Sequence, residues 1–181
     1  MTNEELLITV VRLLGALFVL KWAIVGSIIA IAVDFSDLFV MNLVDLGGVR
    51  NYQALDKWLD LSYMMTFLYV AMKWNSRLAR LSLGLFTFRI CGLLLFEITG
   101  NRWILLAFPN FFEFYFVIAA IVWKKERLQF NSKLIKGFML MLFLLKMLQE
   151  FVLHGGRWLD NYRATEVVIN LWQIATKSLM P

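Results

Sequence analysis

The chain has 181 residues, of which 61% are hydrophobic, and its formal net charge at pH 7 is +5. Soluble globular domains contain about 45–50% apolar residues, so this composition excludes an ordinary soluble fold. The small positive charge falls in loops, and it excludes a dedicated nucleic-acid-binding surface. The apolar residues occur in blocks of about 20, the length of a helix that crosses a bilayer. The sequence therefore predicts an all-α integral membrane protein with a single polytopic domain over residues 1–181.

Five transmembrane spans are predicted in chain order. They cover residues of about 6–33, 55–74, 81–99, 103–123 and 137–153. The first is an apolar run interrupted only by Arg12 and Lys21, and it is long enough to cross the bilayer at a tilt. Pro109 lies inside the fourth span, where it removes a backbone donor. The fifth ends at His154 and two glycines, which predicts a helix stop with the imidazole as a cap.

The C-terminal segment differs from the five spans in its pattern. Over residues of about 162–179, Val168, Leu171 and Trp172 fall on one helical face, and Glu166 falls on the other. This pattern is typical of an amphipathic helix that lies in the membrane interface or packs on a neighbouring subunit.

Lysine and arginine predict the orientation. The loop after the second span contains Lys73, Arg77 and Arg80, and the loop after the fourth contains Lys124 and four more basic residues. The positive-inside rule predicts that both loops face the cytoplasm. With five spans, the N-terminus is then inside and the C-terminus outside. The predicted location is the cytoplasmic (inner) membrane of a prokaryote.

Ionisable and polar residues inside the spans predict a path or site for a charged solute or a proton, because such groups are costly in a membrane. They are Lys21, Arg89, Glu97, Asn110, Glu113, Lys146 and Glu150. Arg89 and Glu113 lie at the same depth of two antiparallel spans, so they are predicted to pair. Lys146 and Glu150 are four residues apart and share a helix face. The alternative is that these charges only neutralise one another inside a helix bundle.

Five of the six aspartates of the chain lie within residues 34–60, between the first two spans and at the start of the second. Asp34 and Asp37 share a helix face if the first helix extends that far, and so do Asp56 and Asp60 at the start of the second. Two antiparallel helices could then present four carboxylates to one divalent cation such as Mg²⁺, Mn²⁺ or Ca²⁺. The alternatives are an acidic mouth that attracts cations and a solvated outer loop, with a short interfacial or re-entrant helix over residues 38–44.

The spacing of these aspartates is similar in outline to the motif of the CDP-alcohol phosphotransferases, in which Asp-x-x-Asp is followed by Asp-x-x-x-Asp. The other positions of the motif differ: Leu38 stands where the family has a glycine, for example. The predicted outer location is also out of reach of a cytoplasmic nucleotide. We therefore do not assign the chain to this family.

Three classes of function remain open. The first is a transporter or channel-like protein for a small charged solute or cation. The second is an accessory or scaffold subunit of a membrane complex. The third is a metal-dependent membrane enzyme acting on a lipid or diphosphate. Cys91 and His154 are each the single residue of their type, so nucleophilic or redox catalysis lacks a basis and we favour a non-enzyme.

The expected partners follow from the same residues. Membrane lipids surround the spans, and the small residues of the first span permit a homo-oligomer or a larger membrane complex. No nucleic acid is expected. No cofactor is predicted apart from the divalent cation that the aspartates could bind.

Overall fold

The computed structural model describes residues 2–43, 52–125, 133–151 and 173. All elements in these ranges are helices, which confirms the all-α fold class there. They are α1 Asn3–Lys21, α2 Ala23–Leu43, α3 Tyr52–Ala71, α4 Ser76–Thr99, α5 Arg102–Ala107, α6 Phe111–Lys124 and α7 Lys133–Glu150. The predicted cap at His154 lies outside the described residues, as does the predicted amphipathic helix apart from Gln173.

Two stretches of the described residues are long and apolar enough to cross a membrane. They are Arg77–Thr99 and Trp103–Lys124, of 23 and 22 residues. They coincide with the third and fourth predicted spans. By length and composition alone, they give partial support to a membrane location.

The first apolar run forms a helical hairpin, so the prediction of a single span over residues 6–33 is wrong. α1 and α2 are separated by Trp22, whose backbone is not helical (φ −132°, ψ 86°). The two helices pack against each other in antiparallel directions. A Cβ atom on Gly15 would lie 3.3 Å from the Val33 side chain, and one on Gly26 would lie 2.4 Å from the Phe18 carbonyl carbon. Small residues thus let the two backbones approach closely.

Two backbone hydrogen bonds lie at the reversal between α1 and α2. The Trp22 N–H donates to the Phe18 oxygen at 2.9 Å, and the Gly26 N–H donates to the Trp22 oxygen at 2.7 Å. Lys21 and Trp22 are exposed at the tip of the hairpin, where the Lys21 ammonium lies 4.7 Å from the centre of the Trp22 ring. The reversal thus occurs with neither glycine nor proline at the turn itself.

α2 continues beyond the apolar run to Leu43. The separate interfacial or re-entrant helix predicted over residues 38–44 is therefore wrong for residues 38–43, which belong to α2. The Ser36 hydroxyl donates to the Val33 carbonyl at 2.7 Å inside this helix. The aspartates at 34 and 37 consequently lie on a continuous helix.

Local residues determine the ends of α4 and the start of α5. The Asn75 side chain caps α4 by accepting from the Leu78 N–H at 2.9 Å. α4 ends at Gly100, whose φ of 66° is the left-handed conformation that glycine adopts without strain. The Asn101 side chain then accepts from the Trp103 N–H at 3.1 Å and begins α5.

α5 and α6 form one membrane-length unit with a break at residues 108–110. Pro109 cannot donate a backbone hydrogen bond, so the helix is interrupted there. The break packs closely on α4, because a Cβ atom on Gly92 would lie 2.2 Å from the Phe108 Cβ. The interruption predicted from Pro109 is thus present, and glycine on α4 provides the space for it.

Aromatic side chains form the core between α3 and α6. The Phe67 and Phe116 rings stack at 4.3 Å, and Trp74 stacks on Phe116 at 4.9 Å. The outer faces of α1 and α7 are also apolar: Leu14 is 55% exposed and Leu144 is 59% exposed. Apolar surface of this extent is typical of a face that contacts lipid or another protein.

Candidate functional site

Nine ionisable side chains lie near the middle of the bundle, and we call this set the charge layer. It consists of Arg12, Asp34, Asp37, Asp56, Asp60, Arg89, Glu113, Lys146 and Glu150. Arg12 precedes the end of α1 by nine residues, and Glu113 precedes the end of α6 by eleven. At about 1.5 Å per residue, both lie roughly 14–17 Å from their helix ends.

Arg12 is the centre of one half of the charge layer. Its side chain is 2% exposed. Its Nη1 donates to Asp37 at 3.1 Å and to Asp56 at 2.8 Å, and its Nη2 donates to Asp60 at 2.6 Å and also to Asp34. Carboxylates from α2 and α3 therefore converge on a single guanidinium from α1.

The structure brings together the four aspartates that were predicted to converge. Carboxylate oxygens of Asp34, Asp56 and Asp60 lie within 4.8 Å of one another. The positive charge among them belongs to Arg12, and a divalent cation at the same place would be repelled by that guanidinium. These residues therefore fit a metal poorly while Arg12 is in place, and the metal site stays a prediction.

Arg89 links the aspartates to the break between α5 and α6. Its Nη1 donates to the Phe108 carbonyl at 2.8 Å, and its Nη2 lies 4.0 Å from the Asp60 carboxylate. The predicted pair of Arg89 with Glu113 is wrong. Arg89 contacts the chain at Phe108, five residues before Glu113, and Glu113 contacts Tyr63 and Lys146 instead.

Glu113 is the centre of the other half of the charge layer. Its Oε2 accepts from the Tyr63 hydroxyl at 2.8 Å and from the Asn110 amide at 2.9 Å, while its Oε1 accepts from Lys146 at 3.1 Å. Lys146 also lies 3.4 Å from Glu150, which confirms the pairing predicted from their spacing. The Asn110 N–H donates to Glu150 at 3.3 Å, next to the start of α6.

Carboxylates outnumber cations in the charge layer. Among the residues that the structure describes, it contains six carboxyl groups against two guanidinium groups and one ammonium group. If all were ionised, the excess would be three negative charges. Charges interact strongly where water is excluded, so an excess of this sign favours the approach of a cation and disfavours an anion.

Two predicted site residues lie outside the charge layer. Lys21 is exposed at the tip of the hairpin beside Trp22. Glu97 is exposed near the end of α4, with its carboxylate 3.9 Å from Lys57. The structure thus separates these two residues from Asn110, Glu113, Lys146 and the others.

Arg12 and Tyr63 belong to the site although the sequence did not identify them as site residues. Arg12 interrupts an apolar run, and a charge in such a position is by itself a signal of a buried partner. Tyr63 follows Asp60 by three residues, so it occupies the same face of α3. Neither signal names the partner, because both partners come from distant parts of the chain.

No known protein family, curated protein or solved structure matches this chain. Function is therefore inferred from the charge layer and the helix geometry.

Proposed function

We propose that the protein is a multi-pass membrane transporter or channel-like protein that binds a small cation at the charge layer. The observation that carries the proposal is the excess of three carboxylates over cations among the described residues of the charge layer. Unbalanced charge is costly in a low-dielectric interior. A transported cation or proton lowers that cost, and an anion raises it.

The proposed membrane arrangement has six crossings in place of the five predicted. α1 has 19 residues and α2 has 21. At 1.5 Å per residue they are about 28 and 31 Å long, close to the roughly 30 Å of a hydrocarbon core. The hairpin therefore accounts for two crossings. α3, α4, the α5–α6 unit and α7 account for the others.

The extra crossing reverses the orientation of the N-terminus. Lys21 at the hairpin tip lies at the same end of the bundle as Lys73, Arg77 and Lys124, because successive helices are antiparallel. The start of α1, which carries Glu4, lies at the opposite end. The positive-inside rule then favours a cytoplasmic hairpin tip and an outer N-terminus, in the cytoplasmic membrane of a prokaryote.

Exposure supports an entrance at the aspartates. The Asp34 and Asp56 side chains are 21% and 34% exposed, whereas Asp37 is 2% and Asp60 is 12% exposed. The carboxylates thus extend from the surface into the bundle. A cation attracted to the exposed members would be concentrated at the buried ones.

The break in the α5–α6 unit supports a binding site at mid-depth. Arg89 contacts the break through the Phe108 carbonyl, and Asn110 contributes both its backbone N–H and its side chain to the carboxylates there. Interrupted helices at the membrane midplane are typical of ion and solute sites in secondary transporters. The charge layer lies at this break.

The test is cation flux into proteoliposomes that contain the purified protein. Fluorescent indicators would report H⁺, Na⁺, K⁺ and Mg²⁺ in turn. We expect flux of one of these ions, reduced at least tenfold by Glu113→Gln. Glu97→Gln is the matched control, because it removes an exposed carboxylate outside the charge layer and should retain full flux. Equal losses in both variants, or no flux of any ion, would contradict the proposal.

An accessory or scaffold subunit is the second candidate, supported by a specific observation. Glu113 and Glu150 both contact Lys146 within the bundle, at 3.1 and 3.4 Å, so these charged groups have partners inside the protein itself. A protein of this kind would form a homo-oligomer or a larger complex through its apolar outer faces. This candidate predicts that the protein stays in a stable complex after mild solubilisation and that the isolated chain shows no cation flux. A metal-dependent enzyme is the third alternative, and it is the least supported because Arg12 stands among the aspartates.

A further inference from the structure

A groove separate from the charge layer lies between α4, α6 and α7. Its volume is about 250 Å³. Its lining is apolar apart from one hydroxyl, and it includes Leu85, Tyr115, Ile118, Met139 and Phe143. The Phe111 and Phe143 rings stack at 4.5 Å at the end nearer the charge layer. A groove of this shape and chemistry fits a hydrocarbon chain.

Lysines continue the groove toward the basic end of the bundle. Lys125 is the C-cap residue of α6, and it follows Ile118 by seven residues, about two helical turns. Lys136 precedes Met139 by three residues and is its neighbour on α7, and Lys133 precedes Lys136 by three residues in the first turn of that helix. All three lysines are exposed. At about 1.5 Å per residue, they lie roughly 5–10 Å beyond the groove.

We propose that this groove binds an anionic phospholipid. One acyl chain lies along the groove, and the phosphate contacts Lys125, Lys133 and Lys136. The charge complementarity selects a lipid with a net negative headgroup, and the basic end lies on the cytoplasmic side, where such lipids attract lysine and arginine. The inference rests on the proposed membrane arrangement, but it does not depend on cation transport.

The test compares phosphatidylglycerol with phosphatidylcholine of the same acyl chains. Each lipid would be titrated into the full-length protein in mild detergent, with bound lipid counted by native mass spectrometry. We expect the wild-type protein to bind phosphatidylglycerol preferentially. Lys133→Gln with Lys136→Gln should weaken that binding by about 25-fold, which is roughly fivefold per lysine.

The matched control is Lys21→Gln with Lys73→Gln. It removes two exposed lysines from the same end of the bundle, and neither continues the groove, so it should leave binding unchanged. Met139→Trp fills the groove and should displace the lipid while the lysines remain. Leu142→Trp provides a second filling variant, and helical circular dichroism shows which of the two is folded.

Three results would overturn the inference. The first is equal binding of the two lipids by the wild-type protein. The second is an equal loss in both double-lysine variants, which indicates general surface attraction. The third is full phosphatidylglycerol binding by a folded tryptophan variant. Failure of the membrane arrangement is distinguishable, because the protein would then be absent from the membrane fraction. Failure of transport would leave the lipid preference intact.

Discussion

Replacing Arg12 by glutamine tests whether the charge layer depends on a single guanidinium. Arg12 is 2% exposed and contacts the carboxylates of four aspartates from two other helices. Glutamine retains much of the side-chain length and removes the charge. The aspartates would then face one another without their central cation.

The expected loss of stability in the Arg12→Gln variant follows from the burial of the aspartates that contact Arg12. Removing one member of a buried ion pair destabilises a protein by about 3–5 kcal/mol, because the remaining charge is uncompensated. Asp34 and Asp56 are partly exposed and can be hydrated, whereas Asp37 is 2% exposed. We therefore expect a loss of about 3 kcal/mol in the free energy of unfolding, the lower end of that range. Adding Asp37→Asn removes the most buried of these charges and should recover about 1–2 kcal/mol.

The assay is reversible unfolding in mixed detergent micelles, followed by circular dichroism. Lys21→Gln is the matched control, because it removes an exposed cation from the same helix and should change stability by less than about 0.5 kcal/mol. A loss below about 1 kcal/mol for Arg12→Gln would refute the reasoning. So would a double variant no more stable than the single one, because the carboxylates would then not repel one another.

Three further experiments test the hairpin and the second half of the charge layer. Gly26→Ala should destabilise by about 1–3 kcal/mol in the same assay, because the new Cβ would lie 2.4 Å from the α1 backbone. Gly84→Ala has no such neighbour within 4 Å and should be neutral or slightly stabilising; similar effects would contradict the close helix contact. In a Cys91→Ala background, Lys21→Cys should react with a membrane-impermeant maleimide from the cytoplasmic side only. If the introduced cysteine does not react with the maleimide from either side of the membrane, the result would instead support a single first span. Tyr63→Phe should lower stability by about 1–2 kcal/mol, because a buried carboxylate loses a donor, and an unchanged unfolding midpoint would count against that hydrogen bond.

Structural features that arise from single residues, or from residues close together in the chain, were predictable from the sequence. The left-handed Gly100 at the end of α4 and the break at Pro109 follow from the backbone properties of single residues. The contact of Lys146 with Glu150 follows from a spacing of four on a helix. The convergence of the aspartates required one more step, the antiparallel arrangement of two helices.

The hairpin reversal at Trp22 could not be predicted by the same means. The turn contains neither glycine nor proline, so it carries no local signal of a helix end. The small residues that permit the reversal, Gly15 and Gly26, lie within the helices and act only across the interface between them. A long apolar run is equally compatible with one tilted helix and with two shorter ones.

The ion pairs between residues that are far apart in the chain could not be predicted from local spacing either. Arg12 is separated from its aspartates by 22 to 48 positions. The depth of a residue follows from counting along a helix, but the rotation of that helix about its axis does not. Arg89 and Glu113 illustrate this difference. Counting residues along their helices predicts the same depth in the bundle for both, and they still bind different partners.

The position of Arg12 also bears on how the chain enters the membrane. α1 is synthesised before the helices that carry its partners, and a lone arginine at the centre of a membrane helix costs about 2.5–3.5 kcal/mol in insertion. Asp34 follows Arg12 by 22 residues and Asp60 by 48. In the proposed membrane arrangement, we therefore expect α1 to remain at the translocation machinery until α2 and α3 have emerged, so that the Arg12 guanidinium enters the bilayer already paired with carboxylates.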